Sequence, residues 1–277
     1  MRLDAHQHFW QFDPLRDAWI TEEMAVIQRD FLPEDLQPLL EDKGIDGCVA
    51  VQADQSLAET DFLLSLANKH DFIRGVVGWV DLRSDQLSAD LERYTEQVVF
   101  KGVRHILQAE PDDFMTDLAF MAGVKKLADF GLTYDVLVHQ GQLEETLQFI
   151  DQLPEMPLVV DHIAKPQIKE ASFDHWAKYM KAIAERKHVT VKLSGLVTEA
   201  DWKNWKREDF TPYIDFCLEH FGPERLMYGS DWPVCLLAGS YSGIYDLLQS
   251  HISQLSDTEQ GHIMGGTAAK FYSLSQY

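Results

Sequence analysis

Eight short apolar runs, each followed by a longer stretch of helical periodicity, set the tightest limit on what this chain can fold into. The runs cover residues 3–6, 47–52, 75–80, 102–107, 132–138, 158–161, 189–193 and 226–229. Between them, helical patterns begin at Pro33 and cover 56–69, 116–129, 143–152, 175–186 and 210–220. Ser56-Leu57-Ala58-Glu59 has the form of a capping box, and Gly131 and Gly222 read as helix stops. Strict strand–helix alternation predicts a parallel sheet covered by helices, and eight strands fit a (β/α)8 TIM barrel. A doubly wound dinucleotide fold also alternates, but it needs a glycine-rich turn after the first strand. That place holds Asp4-Ala5-His6-Gln7-His8-Phe9-Trp10 instead. No Pro/Gly/Ser linker divides the 277 residues, so one α/β barrel domain spanning 1–277 is expected.

Bulk properties exclude several classes of partner. The formal net charge is −21, whereas nucleic-acid binding calls for a basic face. No apolar run is long enough to cross a bilayer, so no membrane partner is expected. The first residues enter a strand directly, without the pattern of a secretory leader, and the cytoplasm is the expected compartment. Cys48, Cys217 and Cys235 form no CxxC pair, which argues against a disulfide framework or a zinc knuckle. No feature of the sequence fixes the oligomeric state.

Chemistry-bearing residues gather at the carboxyl ends of the predicted strands, the face on which barrel active sites lie. His6 and His8 are two apart at the end of the first strand and share a face. His162 ends the sixth strand, in Leu158-Val159-Val160-Asp161-His162, and Asp231 ends the eighth, in Tyr228-Gly229-Ser230-Asp231. Three histidines and one carboxylate at converging strand ends suit either a zinc-type site or a general-base cluster. Two long connections, 9–32 with Trp10, Phe12 and Trp19 and 197–209 with Trp202 and Trp205, could cover such a site. A serine nucleophile is not indicated, because Gly229-Ser230-Asp231 lacks the full elbow pattern.

These motifs, with Gly102-Val103-Arg104-His105, Asp161-His162-Ile163-Ala164-Lys165-Pro166 and Lys192-Leu193-Ser194-Gly195-Leu196, occur in an order that resembles the amidohydrolase superfamily. The likeness is to its sugar-acid lactonase branch, and it runs through Trp232-Pro233 to the region where the family reads Gly-x-Asn-Ala and this chain has Gly266-Thr267-Ala268. The resemblance implies hydrolysis of an aldonolactone of the L-fucono or L-rhamnono type. It implies ligand and catalytic roles for His6, His8, His162 and Asp231. One divalent ion, zinc first, is the expected cofactor, although the branch also resembles enzymes that work without an essential metal. The carboxylated lysine of binuclear relatives has no counterpart, since Lys101 lies at the wrong end of the fourth strand.

Around the mouth, Arg104 and Gln108 are candidates to bind hydroxyls or the developing carboxylate, and Arg104 reads equally as a structural ion pair. Lys165 and Gln52 are further candidate substrate contacts, Trp232 could stack on a sugar face, and His139 is either a fifth-strand ligand or a polar pocket residue. Lys192 should face the barrel interior, with Asp4 as its expected partner. The expected reaction is attack of water, deprotonated by Asp231, on a lactone carbonyl. A metal-dependent decarboxylase of the same superfamily and a non-catalytic sugar-acid binding protein are the alternatives.

Overall fold

The structure is a computed structural model, and it describes residues 1–275. Its eight strands are β1 (Leu3–Gln7), β2 (Gly47–Val51), β3 (Ile73–Gly78), β4 (Phe100–His105), β5 (Thr133–Val136), β6 (Leu158–Val160), β7 (Val189–Leu193) and β8 (Leu226–Tyr228). They lie in chain order in one parallel sheet. The helices between them are α1 (Pro33–Asp42), α2 (Leu57–Ala67), α3 (Leu87–Thr95), α4 (Leu118–Leu127), α5 (Leu143–Gln152), α6 (Phe173–Ala184) and α7 (Arg207–His220). After β8 come α8 (Tyr241–Ile252), α9 (Asp257–Gly261) and α10 (Thr267–Phe271). This is the expected (β/α)8 barrel.

The sheet closes by short contacts between the first strand and the segment after the last. Gln7 and Trp232 form an isolated parallel bridge, the His8 amide donates to the Trp232 carbonyl at 2.7 Å, and the Asp231 amide donates to the His6 carbonyl at 2.8 Å. Gly229 permits the approach, because a Cβ there would lie 2.7 Å from the His6 Cβ.

Two layers fill the barrel. At the bottom, Leu3, Ala5, Val49, Val51, Val77, Val159 and Met227 pack with Ala268, Tyr272 and Leu274, so α10 with Tyr272 and Leu274 plugs that end with apolar surface. Above them the interior is polar and charged, built from His6, Arg104, Asp135, Asp161 and Lys192, all buried. The larger apolar core lies between the strands and the helices. Ser56 accepts from the Glu59 amide as the capping motif predicts, but the Glu59 carboxylate turns to the Ala53 amide at 3.0 Å. Gly131 and Gly222 take left-handed φ values of 66° and 74° at the predicted stops.

Candidate active site

A shift in register between Asp4 and Gln7 breaks the alternation of β1. Leu3 and Ala5 belong to the interior layer, while Asp4 and Gln7 bond to the Ser230 amide and Cys48 Sγ. His6 nonetheless meets the interior charges, and its ring stands 4.9 Å from that of His8 and 4.4 Å from that of His162. His8 Nδ1 lies 2.7 Å from the Val51 carbonyl. A carbonyl can only accept, so this nitrogen carries the proton and Nε2 presents a lone pair. His8 Nε2 faces His6 Nε2 at 3.2 Å and Asp231 Oδ1 at 3.5 Å.

His162 arrives by a different route. Residues His162, Ile163, Ala164 and Lys165 all have positive φ, at 53°, 47°, 59° and 45°. Four consecutive non-glycine residues in the left-handed region are costly, at about 1–2 kcal/mol each. The turn is fixed by Trp176, whose indole N–H donates to the Ile163 carbonyl at 2.7 Å, and by complete burial of Ile163 and Ala164. His162 Nδ1 pairs with Ser194 Oγ at 2.8 Å, and its Nε2 stands 3.9 Å from Asp231 Oδ1. Gly195, φ 64°, lies against the ring, where a Cβ would come within 2.6 Å.

Beneath the histidines lies a closed charge network. Lys192 Nζ reaches Asp135 Oδ2 at 2.6 Å, Asp161 Oδ1 at 2.9 Å and His6 Nδ1 at 3.1 Å. Arg104 Nη1 donates to Asp161 Oδ2 at 3.0 Å and faces His6 Nε2 at 3.2 Å, and its Nη2 donates to the Gln52 carbonyl. Tyr272 completes the network with a hydroxyl bond to Asp135 at 2.8 Å.

Burial and these charges divide the titrations. Burial pushes the His6, His8 and His162 pKa values down, that of His162 to about 4, so all three imidazoles are neutral at pH 7. Burial pushes Asp231 up, but His162, His8 and Lys165 outweigh it and hold the carboxyl below its ordinary range. Burial likewise opposes ionisation of Asp161, and Lys192, His6 and Arg104 overcome it. An ionised carboxylate therefore stands among neutral imidazoles on the wall of a cavity of about 300 Å³, also lined by Trp10, Trp19, Arg104, Gln108 and Lys165.

Comparison with known proteins places this arrangement. Residues 3–274 match the amidohydrolase family. The chain belongs to the amidohydrolase family. Among the relatives of this amidohydrolase is the L-fucono-1,5-lactonase of Burkholderia multivorans, 41% identical, the match covering 100% of this chain and 97% of that protein. The L-fucono-1,5-lactonase of Burkholderia ambifaria is 36% identical over 99% of this chain and 96% of its own. A crystal structure of an amidohydrolase from Burkholderia multivorans with bound Zn superposes with a TM-score of 0.96 at 41% identity, covering 99% of this chain and 100% of that one.

The donor set of this amidohydrolase fits a divalent cation. His6, His8 and Asp231 bring one ligand atom each within 4.8 Å of one another, as do His6, Asp161 and His162. The forced tautomer of His8 aims a lone pair at an ionised carboxylate with no proton between them, a repulsion that a bound cation relieves.

The other sequence candidates divide. Arg104, Gln108 and Lys165 line the cavity with His8, His162 and Asp231. Trp232 does not reach it: the ring is buried, edge-on to Phe9 and Phe31 at 6.2 and 5.1 Å, and stacking on a sugar is corrected to core packing. Gln52 is buried behind the wall, its amide donating to the Arg104 carbonyl at 3.1 Å. His139 accepts from the Gly141 amide at 3.1 Å and caps a short turn outside the cavity. Lys192 faces inward as expected, but its partners are Asp135 and Asp161, whereas Asp4 bonds the Ser230 and His6 amides. Sequence reasoning missed Asp135, Asp161 and Ser194. A lysine read as interior demands buried counter-charge, and Asp135 on β5 and Asp161 directly after β6 were the signal available.

Proposed function

We propose that this protein is a lactonase that opens a sugar-acid lactone, of the L-fucono-1,5-lactone type, to the free acid. The observation that carries the reading is full-length likeness to two proteins named for that reaction. In the mechanism we propose, Arg104, Gln108 and Lys165 hold the lactone with its carbonyl over the histidines. Asp231 takes a proton from water as the water oxygen bonds to the carbonyl carbon. With the Ser194 hydroxyl donating to Nδ1, His162 carries its proton on Nε2 and turns that N–H toward the oxyanion. The carbonyl reforms as the ring C–O bond breaks, and the departing oxygen takes the proton back from Asp231. His6, His8 and Asp231 would hold the divalent ion, for which we propose zinc, and it would polarise the carbonyl and lower the pKa of water, leaving the His162 N–H free for the oxyanion.

The three cysteines are free and buried, which supports a reducing compartment, and we propose the cytoplasm. Among the described residues, no helix is long and apolar enough to cross a membrane. The test is acid release, followed with a pH indicator, from a panel of freshly prepared aldonolactones with and without a chelator. Rapid opening of a 6-deoxy sugar lactone is expected, slowed by the chelator. No opening, with carbon dioxide released from an aromatic acid instead, would replace the lactonase with a decarboxylase.

A further inference from the structure

Among the described residues, one ammonium lines the cavity, that of Lys165. It ends the left-handed run that begins at His162, and its amide donates to the His162 carbonyl at 2.9 Å. Its Nζ stands 3.8 Å from Glu199 Oε1, and each of these side chains is about a quarter exposed. Glu199 ends a single 3-10 turn after β7, a turn pinned independently of the Glu199 side chain. Thr198 Oγ1 donates to the Gly195 carbonyl at 2.8 Å, Trp202 Nε1 to the Thr198 carbonyl at 2.9 Å, and the Lys169 amide to the Glu199 carbonyl at 3.1 Å.

Lys165 serves two carboxylates. It pairs with Glu199 and lines the same cavity as Asp231; burial raises the Glu199 pKa, and the Lys165 charge opposes that rise. A flexible ammonium shared by two carboxylates settles on the one left to it when the other is removed. Settled on Asp231, it would cover the oxygen that must accept a proton from water, lower its basicity and compete with a cation for it.

We propose that Glu199 is a positioning residue that holds the Lys165 ammonium away from Asp231, so that the general base stays unpaired and open to water. The inference rests on the reading of Asp231 as the base in lactone opening. Glu199 is not itself part of the cavity lining, and it acts through Lys165.

This arrangement makes an unusual prediction about combined variants. Glu199→Gln is expected to lower kcat about tenfold while KM stays within about threefold, because the defect lies in the base and not in binding. Lys165→Met alone loses a substrate contact and raises KM. In Lys165→Met/Glu199→Gln the misplaced cation is gone, so kcat is expected to return to that of Lys165→Met. Glu199→Asp keeps the tether and is expected to retain kcat within about twofold. Calorimetric titration with zinc alone gives a second readout: weaker binding in Glu199→Gln, restored in the double variant. A double variant as slow as Glu199→Gln, with zinc binding unchanged throughout, would overturn the proposal, since a purely structural role predicts no rescue. If wild-type protein opens no lactone, the lactonase reading fails separately, and the zinc titrations still decide whether Glu199 controls access to Asp231.

Discussion

Burial acts on Asp231 and on the histidines in opposite senses, and the site depends on both outcomes. It strips the proton from the imidazoles, and it opposes ionisation of Asp231, whose pKa His162, His8 and Lys165 nevertheless hold below the ordinary range. Replacing Asp231 by Asn keeps the shape and removes the base. Steady-state kinetics are expected to show kcat reduced by about two to four orders of magnitude with KM little changed. Gly195→Ala tests the wall behind His162: the new methyl would lie 2.6 Å from the ring in a left-handed backbone. A loss of about 2 kcal/mol in urea unfolding is expected, together with a fall in kcat from the displaced imidazole. The convergence of His6, His8, His162 and Asp231 was legible in the sequence because each stands at or just past a strand end. Trp232 was not, because Asp231 takes φ 56° and the left-handed step turns the next ring into the core. Nor could Asp4 be excluded as the partner of Lys192, since only the register shift in β1 shows which residues it turns outward.

At the scale of elements, α2 carries a titration remote from the histidines. Glu59 is buried near its start and accepts from the amide of Ala53, a cavity-lining residue. Burial raises its pKa to about 7 from 4.5. Between those values the folded chain holds a proton that the unfolded chain has released, so this residue's contribution falls as pH rises through the window. Glu59→Gln keeps an acceptor for Ala53 and removes the charge. Relative to wild type, it is expected to gain about 2 kcal/mol in urea unfolding between pH 4.5 and pH 8. An identical difference at both pH values would contradict this. All eight strands were legible from their apolar runs, but β3 and β4 each begin and end two residues earlier than the pattern predicts. Pairing sets that limit: Val76 registers with Phe100, and Leu107 has already entered a turn. Helices α3 and α8 fall outside the predicted set, as do the five-residue α9 and α10. The first has only nine residues and no side-chain cap, and the second places Gly243 in its first turn.

Across the whole molecule, the seam of the barrel and the proposed reactive centre are the same place. The bonds that join β1 to the end of β8 involve His6, His8, Asp231 and Trp232, three of which are candidate ligands. An ion held by His6, His8 and Asp231 would bridge that seam and should stabilise the entire fold. With zinc at about 100 times its Kd, the melting temperature is expected to rise by about 5 °C, and by far less in Asp231→Asn. Calorimetric scans with and without the ion measure it. The seam also orders events in time. During synthesis the two histidines leave the ribosome more than two hundred residues before the carboxylate they meet, and the sheet that brings them together needs every strand between. No nascent fragment that stops short of Asp231 holds the finished centre, so the proposed water activation and ion capture must wait until β8 and the residues after it have been made.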